Sequence, residues 1–382
     1  MGPLSGVQVI EISGIGPGPF CGMLLADLGA TVIAVEPPDR LAQGHRPHAI
    51  TSRGKQSVAL NLKDPLAVQA VLRLCQNADL LIEGMRPGVM ERLGLGPDVC
   101  LQIKPNLVYG RMTGWGQHGP WAQRAGHDSN YTALSGALWF ASPPGERQVA
   151  PSTVLGDVAG GALYLAVGLL SALHHARATG QGQVVDAAIV DGAAHMLNLL
   201  LGAIQRRGGD FERGSQGFDC SHWAARSYRC KDGGWINFSP LEPRFYAQML
   251  NLLGLDGDAR FARGQNDPSL WAELTADMER LMATRTRAEW ETLLAGSDAC
   301  WAPVLDPRQA ALHPHLAARA VYGEHQGVLQ SAPAPRFSVT TACAGVPAPA
   351  GAHTRQWLEK LNFTPSECEQ LLRPLDTAIA SP

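Results

Sequence analysis

The sequence predicts an α/β fold: a large domain on a doubly wound parallel, Rossmann-like sheet, followed by a smaller α+β domain. Strand-like and helix-like segments alternate through the N-terminal half, as they do in parallel sheets with crossover helices. The 382 residues are 45% hydrophobic, which is enough for two cores. A polar, glycine-rich stretch then separates this half from a hairpin followed by helices.

The N-terminal segments form one βαβ unit. They are a strand at residues 7–13, a glycine-rich turn at 14–19, a helix at 20–28 and a strand at 30–35. The glycines of the turn, Gly14, Gly16 and Gly18, stand at every second position. A dinucleotide fingerprint needs its last glycine three residues after its second, so we expect no NAD site here.

The alternation continues to residue 206. It consists of a strand at 57–62, a helix at 65–76, a strand at 79–82, a helix at 89–93, a strand at 107–111, a helix after Asp128, an apolar helix from 156 to 174, a strand at 184–190 and a helix at 192–206. The most apolar run, residues 159–173, contains glycines and ends at two histidines, so we expect a buried helix rather than a membrane span.

The predicted domains follow from these elements. Residues 1–205 form the large domain, 206–225 a linker, 226–325 the small domain, and 326–352 a proline-rich return linker, with residues 335–382 completing the large domain. Within the small domain, Lys231-Asp-Gly-Gly234 is a hairpin turn between strands at 227–230 and 235–238. Helices follow from 242, at 271–282 and at 286–294, and a last one at 354–361.

Composition excludes several classes of function. The net charge is −3 and only 17% of residues are charged, so no nucleic acid partner is expected. The 8 cysteines are scattered without C-x-x-C pairs or histidines at ligand spacing, which predicts reduced thiols and no metal site. The N-terminal residues lack a signal-peptide pattern. We expect a cytoplasmic protein without a membrane partner.

Two acidic residues and one histidine stand at predicted helix starts. His127 and Asp128 follow Gly126, and Asp157 follows Gly156. Helix N-termini present unpaired N–H groups and favour negative charge, so an enolate oxygen would be stabilised near Asp128. The alternative is that Asp128 and Asp157 only cap their helices, and the residues alone leave this open.

Four cations stand at or just beyond strand ends: Arg40, Arg53, Lys63 and Arg86. Ligands of open α/β sheets bind at this edge, so these side chains together are candidates to hold phosphates, although for each by itself an ordinary solvated residue is the favoured interpretation. The aromatic residues near the predicted loops either line an apolar binding surface or belong to the cores: Trp115, Trp121, Tyr131, Trp139 and Trp223.

Eight segments of the chain form a recognisable set: Pro17 to Ala30, Arg53-Gly-Lys55, Ala59 to Lys63, Arg86-Pro-Gly88, Ala125-Gly-His-Asp128, Gly156 to Gly161, Gly180 to Asp186 and Leu241 to Tyr246. Together they resemble the family III CoA-transferase (CaiB/BaiF) superfamily and, within it, the α-methylacyl-CoA racemases. The His-Asp pair with Leu-Glu-Pro-Arg-Phe-Tyr points to the racemase branch. Nearly the whole chain takes part in the resemblance.

The resemblance implies a chemistry and a site. His127 and Asp157 are expected to act on opposite faces of the α-carbon of a 2-methyl-branched acyl-CoA, with Asp128 contributing beside them. Glu242 is expected to orient the histidine from the partner subunit of an interlocked homodimer. No metal or flavin is needed, and coenzyme A is part of the substrate. The implied CoA contacts are Arg53, Ala59, Leu60, Asn61, Lys63, Arg86, Gly126 and Tyr131, with Arg40 replacing the family arginine missing at Pro37.

Two other functions stay open at this stage. One is a CoA-transferase in which Asp157 attacks the thioester as a nucleophile. The other is a CoA-thioester-binding protein without chemistry. His127 discriminates between the first alternative and a racemase, because a transferase needs no base opposite Asp157.

Overall fold

The computed structural model describes residues 1–43, 48–206, 208–214, 217, 219 and 221–379. The chain forms two compact units. The first contains residues 1–135, 151–196 and the chain from 319, and the second contains 136–150 and 197–318. The sequence-based division instead gave 136–150 and 197–205 to the large domain and 319–325 to the small one. Residues 136–150 lie with the second unit because Arg213 Nη1 donates to Ser142 O at 3.3 Å and Trp139 Nε1 to Phe211 O at 2.9 Å.

The strands are β1 (Gln8–Ile12), β2 (Thr31–Glu36), β3 (Gln56–Ala59), β4 (Leu80–Glu83), β5 (Val108–Thr113), β6 (Gln183–Ala188), β7 (Ser227–Arg229), β8 (Trp235–Phe238), β9 (Trp301–Val304), β10 (Tyr322–His325) and β11 (Val328–Ser331). The helices are α1 (Pro17–Asp27), α2 (Pro65–Cys75), α3 (Val89–Arg92), α4 (Pro97–Ile103), α5 (Asp128–Leu134), α6 (Leu163–Thr179), α7 (Ile189–Met196), α8 (Asn198–Arg206), α9 (Pro243–Leu253), α10 (Ala259–Arg263), α11 (Trp271–Met282), α12 (Arg287–Leu294), α13 (Pro307–Leu312), α14 (Pro314–Ala318), α15 (Thr354–Lys360) and α16 (Pro365–Ile379). A π-helix, Val154–Ala162, leads directly into α6.

The first unit is built on a six-stranded sheet in the order β3-β2-β1-β4-β5-β6, and all neighbouring strands in it are parallel. The prediction of a doubly wound parallel sheet is confirmed. The strand order reverses between β1 and β4, so the loops after these two strands diverge and leave a crevice at the carboxyl edge of the sheet.

Each face of this sheet carries its own core. One face packs Ile10, Ile33 and Leu81 against α2, α4, α15 and α16. The other packs Val9, Val32 and Leu80 against α1 and α6. The strands are therefore apolar on both faces, as buried parallel strands are, and α2 is held at its start by Asp64, whose side chain accepts the N–H of Leu66 at 2.8 Å.

The helical stretch Val154–Thr179 has 26 residues and a mean hydropathy of 1.7, so by length and composition alone it is able to cross a membrane. One of its faces, however, is buried in the core of the first unit. Leu165, Leu169 and Leu173 pack on the sheet, and Leu169 lies so close to Gly110 of β5 that a Cβ there would approach its Cδ2 to 2.8 Å. This is the packing of a core helix.

Two predicted helices differ from the structure. The stretch before α6 is a π-helix, in which Val158 N–H donates to Thr153 O, five residues back, at 3.1 Å. Its backbone runs against α7, where a Cβ at Gly192 would lie 1.9 Å from Gly160 O. The predicted helix at 192–206 is two helices, α7 and α8, because the chain leaves the first unit between them.

The second unit has a three-stranded sheet in the order β7-β8-β9, antiparallel throughout. The hairpin predicted around Lys231-Asp-Gly-Gly234 is confirmed by the β7–β8 pairing. The core beneath it includes Trp223, Tyr228 and Trp290. In the first unit, the segment predicted as a return linker contains β11, which pairs with β10, and the sequence-based prediction missed α16.

Candidate active site

A cleft of about 550 Å³ opens at the carboxyl ends of β1, β4 and β5, where the strand order reverses. It lies wholly within the first unit. Its walls come from four segments: the loop before α1, the loop after β4, the loop after β5 up to α5, and the start of the π-helix. The residues that line it with functional side chains are Arg86, Trp115, Arg124, His127, Tyr131, Thr153 and Asp157.

His127 is the extended residue in front of α5, and its ring is exposed to the cleft. Its backbone N–H donates to Asn130 Oδ1 at 3.0 Å, which fixes the start of the helix. The preceding loop is held by Tyr131, whose hydroxyl donates to Gly126 O. The Tyr131 ring fills the space beside Gly114, where a Cβ would come within 2.0 Å of it. Glycine is therefore required at Gly114.

Asp157 lies in the first turns of the π-helix and is half-buried. Its carboxylate lies against the backbone of Gly16, where an ideal Cβ would stand 3.2 Å from Asp157 Oδ2. Gly16 has φ +73, a conformation that L side chains rarely adopt. The glycine before α1 thus gives the Asp157 carboxylate its room at the cleft wall.

Asp128 is not among the residues that line the cleft, and it is 6% exposed. Its Oδ2 accepts the backbone N–H groups of Gly156 and Asp157, at 2.7 and 2.8 Å. It joins the start of α5 to the π-helix. The structure therefore makes the Asp128 side chain a positioning group, which binds the backbone of the segment that carries Asp157.

The electrostatics of the site follow from this arrangement. Burial raises the pKa of Asp157 above its ordinary value, the negative charge of Asp128 raises it further, and the positive charge of His127 offsets part of the rise. Burial also raises the pKa of Tyr131, and Asp157 adds to that effect. A carboxyl group with a raised pKa exchanges protons more readily near neutral pH.

Two arginines stand at the cleft: Arg86 in the loop after β4 and Arg124 before His127. Both side chains are exposed, and the Arg124 guanidinium lies over the Trp121 ring at 4.5 Å. Trp115 joins the aromatic wall, edge to face with Trp121 and Tyr131. Sequence reasoning selected Arg86 but missed Arg124 and Thr153. The sequence does contain a feature that could have identified Arg124: it is a cation three residues before the His-Asp pair, in a loop that contains two tryptophans.

Arg53, predicted as a CoA contact, is engaged by other groups of the first unit, and its contact with CoA stays a prediction. Its side chain is buried: Nε and Nη2 donate to the two carboxylate oxygens of Asp27, and Nη1 donates to Gln330 Oε1 and Ser331 O. Its donors thus serve the fold, tying β10–β11 to α1. A cation just beyond a strand end was expected to face the ligand, but the Arg53 guanidinium instead pairs with the buried carboxylate of Asp27 in α1.

Of the other expected CoA contacts, Arg86, Gly126 and Tyr131 line the cleft. The remaining five lie along the same edge of the sheet, outside the cleft lining. The side chains of Ala59 and Leu60 at the end of β3 are buried, so only their backbone is available to a ligand. Asn61 and Lys63 are exposed, and Asn61 Oδ1 accepts the N–H of Lys63 at 3.1 Å. Arg40 is half-buried in the short 3-10 helix Pro38–Gln43.

Comparison with known proteins decides the family. Residues 4–354 match CoA-transferase family III. The chain belongs to this family. It is 37% identical to the human alpha-methylacyl-CoA racemase over 372 residues, 96% of each chain, and 38% identical to the mouse alpha-methylacyl-CoA racemase over 371 residues, again 96% of each. A crystal structure of a CaiB/BaiF family protein from Brucella suis superposes with a TM-score of 0.80 at 25% identity, covering 94% of this chain and 100% of that one.

In this member of CoA-transferase family III, the cleft holds an imidazole and a carboxylate, which together are able to transfer protons, and the carboxylate alone is a nucleophile for acyl transfer. Glu242 belongs to the second unit, where it is the exposed N-cap of α9 and is followed by Pro243. Within the part of the chain that the structure describes, no cluster of three or more His, Cys, Asp or Glu side chains is arranged to hold a metal ion.

Proposed function

We propose that this protein is an acyl-CoA racemase. It inverts the α-carbon of 2-methyl-branched acyl-CoA thioesters by proton transfer through an enolate, as part of fatty acid and lipid metabolism. The observation that carries the proposal is that His127 and Asp157 line one cleft, and that the environment raises the pKa of Asp157. The human and mouse relatives, both alpha-methylacyl-CoA racemases, support it.

Inversion needs an acid and a base that act on opposite faces of one carbon. The Asp157 carboxylate removes the α-proton and protonated His127 delivers a proton to the other face; the reverse reaction exchanges these roles. The raised pKa of the Asp157 carboxyl group lets it act both as a base and as an acid near neutral pH, as a reaction that runs in both directions requires. The thioester delocalises the charge, and no metal or redox cofactor takes part.

The substrate supplies coenzyme A as its own handle. We place the thioester oxygen beside the backbone N–H of Asp128, at the start of α5, where an enolate oxygen is stabilised. Arg86 and Arg124 are exposed at the cleft and serve the anionic part of CoA. Asn61, Lys63 and Arg40 extend this surface along the carboxyl edge of the sheet.

The working form is an interlocked homodimer in the cytoplasm, in which Glu242 of one chain orients the histidine of the other. Support comes from apolar side chains of the first unit that a partner would cover. Leu134, Leu163 and Val167 are 55%, 42% and 65% exposed. Exposed apolar surface of this kind marks interaction sites.

A second candidate is a CoA-transferase, which the family as a whole favours. In that reaction Asp157 attacks the thioester carbonyl, CoA leaves as a thiolate, and a mixed anhydride forms. CoA then attacks the aspartyl carbonyl, which releases the acid and leaves an aspartyl-CoA thioester. The presence of His127 at the same cleft favours the racemase.

The deciding experiment follows α-proton exchange. One enantiomer of a 2-methylacyl-CoA is incubated in deuterium oxide with wild type, His127→Ala and Asp157→Ala. Wild type should incorporate deuterium and lose chirality, and each variant should lose about 10²- to 10⁴-fold in racemisation rate. Absence of exchange, together with CoA transfer to an added acid and a CoA adduct on the Asp157 peptide, would overturn the proposal in favour of the transferase.

A further inference from the structure

The loop after β4, residues 84–88, carries Arg86 into the cleft and lies between two acidic residues, Glu83 and Glu91, that share one arginine. Glu83, the last residue of β4, is 0% exposed. Its Oε2 accepts the N–H of Met85 at 2.7 Å, which fixes the first turn of the loop. Its Oε1 accepts from Arg111 Nε on the neighbouring strand β5, at 3.0 Å.

Arg111 continues the cluster to the far end of the loop. Its Nη1 donates to Glu91 Oε1 at 2.8 Å and its Nη2 to Glu91 Oε2 at 3.4 Å, in the two-pronged arrangement typical of arginine and carboxylate. Glu91 lies in α3, directly after the loop. Arg111 itself is 7% exposed, and three of its donors are used; the cluster is buried at Glu83 and open to water at Glu91, whose side chain is 44% exposed.

We propose that Arg111, bridging Glu83 and Glu91, is the positioning residue that holds the Arg86 loop in the geometry that binds the CoA part of the substrate. This inference deepens the proposed function and rests on it. Arg111 does not line the cleft, so it acts through the loop. The hydrogen bond from the Met85 N–H to Glu83 fixes the start of the loop, and the bidentate contact of Arg111 with Glu91 fixes the helix that follows it. Arg86 lies between these two points.

The physical argument is one of preorganisation. A loop fixed before binding loses less conformational entropy when the ligand arrives. Gly88 has φ +84, which glycine adopts without strain, so the chain turns between Arg86 and α3, and the contacts of Glu83 and Glu91 hold the residues on either side of this turn. Weakening the cluster should therefore raise KM for the thioester and leave kcat nearly unchanged, because His127 and Asp157 are held by α5 and the π-helix.

The first test uses Glu91→Gln, because the Glu91 side chain is 44% exposed and the exchange keeps its shape. KM should rise roughly 5-fold, and the dissociation constant of free CoA should rise in parallel. Arg111→Lys keeps the charge but loses the fork, and we expect a larger rise, roughly 10-fold, with kcat within about 2-fold of wild type. Glu369→Gln removes one side of a comparable Glu–Arg pair, with Arg355 at 2.9 Å, and is the matched control.

A double-mutant cycle separates positioning from general destabilisation. If Arg111 acts through Arg86, then Arg86→Ala combined with Arg111→Lys should bind CoA no more weakly than Arg86→Ala alone. Additive losses of CoA affinity in the double variant would overturn the inference, as would equal falls in kcat in all variants. A wild-type protein that neither exchanges α-protons nor binds CoA would instead count against the proposed function.

Discussion

The carboxylate of Asp128 accepts the backbone N–H of Asp157 at 2.8 Å, so one acidic side chain holds the segment that carries another. The same oxygen accepts the N–H of Gly156 at 2.7 Å. Burial raises the pKa of the Asp157 carboxyl group most, and the negative charge of Asp128 raises it further. Asp128 thus contributes both to the position of Asp157 and to its proton affinity.

Asp128→Asn should therefore shift the pH profile of catalysis. The amide oxygen still accepts N–H bonds, but the negative charge is gone, so the pKa of Asp157 falls. In the direction in which Asp157 is the base, activity requires its ionised form and is lost as pH falls through its pKa. The acidic limb of kcat/KM should move to lower pH. An unmoved limb, measured with the enantiomer that Asp157 deprotonates, would show that Asp128 does not tune this group.

Gly16 gives the second prediction. In Gly16→Ala the new Cβ would stand 3.2 Å from Asp157 Oδ2 and the backbone would keep φ +73. Backbone strain should cost about 1–3 kcal/mol of unfolding free energy, and displacement of the carboxylate should lower kcat roughly 10- to 100-fold. Gly6→Ala is the control, because Gly6 also has positive φ, at +89, with nothing within 4 Å of its Cβ position. Equal kcat in both variants would contradict the crowding argument.

The fold was largely predictable because buried parallel strands and their crossover helices have distinct periods. The βαβ alternation, the hairpin at residues 231–234 and helix α11 at Trp271–Met282 were all evident. The π-helix around Asp157 was not evident from the sequence. One turn with hydrogen bonds between residues five apart produces nearly the same pattern of apolar residues as an α-helix. The roles predicted for Glu242 and for the CoA contacts of Asn61, Lys63 and Arg40 stay predictions.

Side-chain partners were the other limit of sequence reasoning. Arg53 and Arg111 are both arginines at the sheet, yet one is paired with Asp27 and the other with Glu83 and Glu91. These carboxylates come from other elements and only the folded sheet brings them close. The pairing of a cation, rather than its place in the sequence, decides whether it can bind a ligand.

Arg124 gives the third prediction. It is exposed at the cleft and lies over Trp121, so it should attract the phosphates of CoA. Arg124→Ala should weaken CoA binding roughly 10-fold at low salt, and the difference from wild type should shrink as salt rises, because exposed charges are screened. Titration calorimetry at two ionic strengths measures this. Lys104→Ala is the control, because Lys104 lies before the amino end of β5, whereas the cleft lies at the carboxyl ends of the strands. A loss of affinity equal to that of the control would rule out a phosphate contact.

Arg53 gives the fourth prediction, on stability rather than affinity. The Arg53–Asp27 pair is buried, with side chains 2% and 3% exposed. Arg53→Met leaves the Asp27 carboxylate buried and unpaired, and the free energy of unfolding should fall by about 3–5 kcal/mol, as urea denaturation would show. The milder Arg53→Lys should fold and bind CoA within about 2-fold of wild type, because none of the Arg53 donors faces the cleft.

The double variant Arg53→Met with Asp27→Leu separates the two possible roles of Arg53. It removes both charges and fills the space with apolar atoms, so it should recover most of the lost stability, because the cost in Arg53→Met is an unpaired buried carboxylate. If stability returns and CoA affinity matches wild type, the pair is structural. If stability returns and CoA affinity stays low, Arg53 contacts the ligand and leaves its pair with Asp27 in the complex.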